Sequence, residues 1–70
     1  RMTLDEALSR PTISVPDAGA VFYGGLGRNG SYEAARRGDI PTITVGGRKL
    51  AVVAEIAKQL GLQTKFGRAA

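Results

Sequence analysis

The sequence predicts a mainly α domain of three to four short helices with one small two-stranded β-hairpin. Three observations carry this expectation. Small and apolar residues recur at helical spacing in separate short stretches. Glycines stand where most of those stretches should stop. The segment TITVGGRKLAV alternates around a Gly-Gly pair, as a hairpin does.

At 70 residues the chain is one small domain with a thin core. A domain of this size buries only about 60% of the surface its unfolded chain exposes. There is no Cys and no His. That removes disulfides, a Cys/His zinc site, a cysteine nucleophile and the usual general base. A metal site would have to use carboxylates alone, and the six acids are scattered. No metal or other cofactor is expected, and an enzyme is the least expected class. No apolar run approaches the roughly 20 residues that span a bilayer. The N-terminus shows no signal-peptide pattern. With Cys absent, the expectation is a cytoplasmic protein without a membrane partner.

Ten basic and six acidic side chains give a net charge of +4 and a pI near 10.1. Such an excess fits a polyanionic partner, and it equally fits ordinary solubilising charge. The placement of the charges decides between them.

The segment TLDEALSRP opens with a capping-box spacing, Thr3 to Glu6, and pairs Leu4 with Leu8 at i,i+4. It reads as a short peripheral helix ended by Pro11. In ISVPDAGAVFYGG, Ser14 can cap a helix with Asp17 three residues on and Pro16 in the first turn. Ala18, Val21 and Phe22 then form one apolar face, and Gly24 and Gly25 end it. A further helix should run from Arg28 to Arg37, with Gly27 at its N-cap and Gly38 as its stop. Ser31, Ala34 and Ala35 form its inward stripe, small enough for a neighbouring helix to approach closely. Gly30 inside it costs about 1 kcal/mol relative to Ala.

In the hairpin, the Gly46-Gly47 turn sets Val45 opposite Arg48, Thr44 opposite Lys49 and Ile43 opposite Leu50. A lone hairpin is marginal in water, so its Ile43/Leu50 face is expected to pack on the helices. Val53, Ile56, Ala57 and Leu60 mark the last core helix, with Gly61 as its stop. The tail offers Phe66 as a weak anchor. The resulting division is an extension with a short helix (1–12), a core domain (13–62) and a tail (63–70).

Residues 25–30 read GLGRNG, the G-x-G-x-x-G spacing of dinucleotide-binding loops. The context opposes that use. The preceding segment has a helical period rather than a strand's, and TITVGG lies where the ribose-binding acid should be. A dinucleotide fold also exceeds 70 residues. The stretch fits better as the turn and start of the second helix of a helix-turn-helix. That helix would enter a major groove with its first residues on base edges. Arg28 can pair bidentately with guanine, and Asn29 with adenine. Tyr32 lies one turn on and Arg36 a further turn, with Glu33 flanking. Tyr32 alone fits a core position as well as it fits an exposed ridge. The tip residues Gly47, Arg48 and Lys49 can enter a minor groove or clasp phosphates. Edge charges of this kind also serve solubility alone. Beside a basic helix they complete a winged helix-turn-helix. From Arg28 to Lys49 there are five basic residues and two acids, which is +3 of the total +4.

The stretch from Ile13 to Leu62 resembles the excisionase-type winged-helix domains, which are related to the DNA-binding heads of MerR-type regulators. The matching residues are ISVPDAGAVF, then LGRNGSYEAARRGDIPTITVGGRKLAV, then an apolar helix ending LGL. RRGDIP followed by a strand and a G-G-R wing is the most specific part. The resemblance extends to the small phage excisionases, the recombination directionality factors. It implies DNA contacts from Arg28, Asn29 and Tyr32 on the recognition helix and from Arg48 and Lys49 on the wing; Ser31 and Arg36 on the helix and Gly47 on the wing complete the expected contact set. It also implies a protein of the bacterial host cell that binds repeated sites on double-stranded DNA, self-associates on adjacent copies and bends the duplex. Such a protein directs a tyrosine or serine integrase toward prophage excision. Two departures stand out: Gly27 replaces a frequent Ser or Thr cap, and Gly30 replaces a frequent Thr. Gly30 is expected to let the backbone come close to DNA or to the preceding helix. A small winged-helix transcriptional regulator is the alternative, and a protein-interaction adaptor is a third reading.

Overall fold

A computed structural model describes residues 2–65. The chain order is α1 (Leu4–Leu8), β1 (Thr12–Ser14), α2 (Val15–Phe22), α3 (Arg28–Arg37), β2 (Thr42–Val45), β3 (Arg48–Val52) and α4 (Val53–Leu60). Phe66, the expected anchor of the tail, lies outside the described residues. Among the described residues, no helix is long and apolar enough to cross a membrane.

The architecture is mixed α/β, and the sheet has three antiparallel strands in the order β1-β3-β2. The expected two-stranded hairpin is therefore only part of it. β1 is three residues long, too short for a visible alternation, and it pairs Ile13 with Ala51 on β3. Its last residue has a second role. The Ser14 hydroxyl accepts the Asp17 N–H at 3.2 Å and so starts α2 directly from the strand.

α1 carries the expected capping box: Thr3 Oγ1 accepts the Glu6 N–H, and Glu6 Oε1 accepts the Thr3 N–H. The helix is less peripheral than its composition implies. Ala7 and Leu8 are buried in the same cluster as Val15, Ala18, Phe22, Ile40, Val53 and Ile56. Leu4 faces solvent instead.

The hairpin register is the expected one, with Ile43 opposite Leu50, Thr44 opposite Lys49 and Val45 opposite Arg48. Gly46 and Gly47 both have positive φ, 57° and 79°, the conformation a two-residue primed turn needs. The buried face is not the expected one. Paired residues share a face, so Ile13, Thr42 and Ala51 look one way, and Ile43, Leu50 and Val45 look the other. The helices cover Ile13 and Ala51, whereas Ile43 is 44% exposed and Val45 53%. The register of β1 on β3 decides this, because it turns Ile13 and Ala51 together toward the core.

The tightest contact lies between α2 and α3. A Cβ added at Gly19 would sit 1.8 Å from Ser31 Oγ and 2.8 Å from Ser31 Cβ. The Gly19 carbonyl accepts the Leu26 N–H at 3.1 Å, which pins the intervening turn. By contrast, a Cβ at Gly30 would meet only the Leu26 side chain, at 3.7 Å or more. The close approach between the helices is thus made at Gly19, on α2, and not at Gly30. At the far end of α2, the Tyr23 hydroxyl donates to Gln59 Oε1 of α4 at 2.7 Å. Partial burial, and then the nearby Asp39 charge, raise the Tyr23 pKa above its ordinary 10.0.

Two expectations follow for stability. Gly19→Ala should destabilise the domain by about 1–3 kcal/mol through overpacking, whereas Gly30→Ala should stabilise it by about 0.5–1 kcal/mol through helix propensity. Thermal melts of both variants would check the opposite signs. A raised Tyr23 pKa contributes stability that is complete below 10.0 and is lost as pH rises through the higher folded value. The alkaline fall in melting temperature should therefore be shallower in Tyr23→Phe.

Candidate nucleic-acid interface

α3 begins at Gly27, an extended residue with no side-chain cap, and ends at Gly38. No acid lies in its first turn, and Arg28 does. The free N–H groups of that turn and the Arg28 guanidinium make this end of the helix electropositive. Ser31, Ala34 and Ala35 face inward, which leaves Arg28, Asn29, Tyr32, Glu33, Arg36 and Arg37 exposed. Tyr32 is 42% exposed, so it belongs to the surface ridge and not to the core. The Arg28 guanidinium lies 5.9 Å from its ring centroid, within cation–π range.

Ser31 is the one expected contact residue that the structure removes. It is fully buried, and its hydroxyl donates to the Gly27 carbonyl at 2.8 Å. The same small side chain that lets α2 approach cannot also face outward. Its place in the inward stripe of the sequence was the better guide.

Between α3 and the hairpin lies an open groove of about 700 Å3. Tyr32, Glu33 and Arg36 line it from the helix, and Gly47, Arg48, Lys49 and Leu50 from the hairpin, with Ser14 also on its wall. The fold therefore brings together Tyr32, Arg36, Gly47, Arg48 and Lys49, which are remote in sequence. Arg28 reaches the groove only through its stacking on Tyr32, and Asn29 is exposed outside it. Ser14 and Leu50 are wall residues that sequence reasoning missed. Both face the groove because they share the outward side of the sheet, a consequence of the β1–β3 register.

The charges divide cleanly. Among the described residues, Arg36 pairs with Glu33, Arg37 with Asp39 at 2.9 Å, and Lys65 with Asp5 at 3.0 Å. The hydrogen bond from Arg36, and then its charge, hold the Glu33 carboxyl below the usual range. Arg28, Arg48 and Lys49 have no acidic partner among the described residues. The +3 of this region is thus carried by three specific side chains, one at the start of α3 and two at the hairpin tip. These can take up anionic oxygens without first giving up an ion pair.

Comparison of the chain with protein families, with curated proteins and with solved structures finds no match.

Proposed function

We propose that this chain is a winged helix-turn-helix domain that binds double-stranded DNA. In this reading α2 and α3 are the helix-turn-helix, α3 enters the major groove, and the β2–β3 hairpin is the wing on the adjacent backbone or minor groove. The observation that carries the reading is that Arg48 and Lys49 line one open groove with Arg28 set over the ring of Tyr32 on its wall, all three without an acidic partner among the described residues. A helix start free of acids suits a phosphate, and Arg28 and Asn29 at that start suit base edges.

The role we propose within that class is an excisionase-like architectural factor, on the strength of the sequence resemblance. A single module of this type covers about 600–1,000 Å2 of its surface on DNA. One copy then binds modestly, and useful specificity comes from several copies on adjacent sites. The chemistry needed is recognition and bending, with the recombination steps left to an integrase.

Mutation of the two contact sets should separate their roles. Arg28→Ala or Asn29→Ala should cost about 1–3 kcal/mol on a preferred site and flatten the preference among sequences. Arg48→Ala should weaken all duplexes alike and lower the salt slope by about 0.9. For the wild-type protein, phosphate contacts from Arg48 and Lys49 alone give a log–log salt slope of about −1.8. Fluorescence anisotropy across a salt series measures all of these, and a flat response would sink the DNA reading. Reconstituted recombination with a neighbouring integrase tests the role, and excision that is indifferent to this protein would refute it.

A further inference from the structure

Among the described residues, Glu33 is the one carboxylate that lines the groove, beside Arg36, Arg48 and Lys49. It sits on the exposed face of α3 and is hydrogen-bonded to Arg36 one turn on. Both side chains are more than half exposed, at 54% for Glu33 and 71% for Arg36. A pair this exposed contributes little to folding, because water screens it and ordering two long side chains opposes it. Its effect on a polyanion in the groove is larger. The carboxylate repels phosphate oxygens, and it occupies a guanidinium that would otherwise bind one. Arg28, Arg48 and Lys49 have no such competitor among the described residues.

We infer that Glu33 is a specificity-determining residue of the DNA site, which holds Arg36 back from the phosphate backbone and so suppresses binding to non-preferred duplex. This rests on the DNA-binding reading above. On duplex of any sequence, Arg28, Arg48 and Lys49 supply the electrostatic attraction. Arg36 adds to it only when a well-fitted surface offers both members of the pair partners of their own: an acceptor for the guanidinium and a donor for the carboxylate. Phosphate oxygens are acceptors only, so the backbone cannot satisfy Glu33, whereas base edges present donors as well. The pair therefore penalises backbone-only association more than it penalises a complex with base contacts.

The test is Glu33→Gln, which keeps the side-chain shape and removes the charge. Affinity is measured by anisotropy across a salt series on two probes: a mixed-sequence duplex and a duplex selected from a random pool by the wild-type protein. The variant should bind mixed sequence about fivefold more tightly at about 0.15 M salt, with a slope steeper by about 0.9. Its gain on the selected duplex should be smaller, so the ratio between the probes narrows. Adding Arg36→Ala to Glu33→Gln should return the slope to its wild-type value. Unchanged mixed-sequence affinity and slope would overturn the inference, and so would an equal gain on both probes. Absence of wild-type binding to either duplex at low salt would instead overturn the DNA-binding reading itself.

Discussion

The approach of α2 to α3 at Gly19 and Ser31 is the contact on which the rest of the arrangement depends. Gly19 has no side chain, so Ser31 can lie against the backbone of α2. Ser31 in turn satisfies its own hydroxyl on the Gly27 carbonyl, so the contact buries no unpaired polar atom. With the helices this close, residues 23–27 suffice to connect them, and the bond from Leu26 to the Gly19 carbonyl holds that turn. The orientation of α3 follows. Its small-residue stripe faces inward, and every charged residue of the helix faces out.

The sheet fixes the second half of the groove. β3 sits between β1 and β2 and runs directly into α4, whose Val53, Ile56 and Ala57 are buried in the core. β3 is therefore anchored at its α4 end, while its other end carries Arg48 and Lys49 out to the tip. Its register on β1 turns Ala51 and Ile13 inward, which leaves Leu50 on the groove wall. A rigid base and a protruding cationic tip suit a surface that has to reach around a cylinder of phosphates. Our proposed reading uses that geometry. Among the described cations from Arg28 to Lys49, the ion pairs within α3 and at its end leave Arg28, Arg48 and Lys49 without an acidic partner.

Much of the local structure was legible in the sequence because it rests on short-range rules. The bounds of α3, both capping serine and threonine residues, the Gly-Gly turn and the pairing of Ile43 with Leu50 all depend on neighbours within a few positions. The misreadings share a different cause. β1 forms only because β3 is there to pair with it. Leu60 keeps the helical period of its neighbours yet is 43% exposed. The outward face of the hairpin and the burial of Leu8 are likewise set by elements distant in sequence. The GLGRNG stretch illustrates both sides: its glycines shape a turn and a helix start, and the tight contact that this turn serves is made by a glycine outside the motif.

By itself, then, the sequence determined where helices and the hairpin begin and end, the register across the Gly-Gly turn, and a local excess of positive charge from Arg28 to Lys49. Propensity, capping and turn chemistry act over a few residues, so they can be read along the chain. Only the tertiary structure decided that Ser31 is buried, that Tyr32 is exposed, and that Tyr32, Glu33 and Arg36 face Arg48 and Lys49 across one groove. It also decided which cations are left without acidic partners among the described residues. Burial and ion pairing depend on what lies opposite a side chain in space, and that is set by how α3 and the sheet pack against the core.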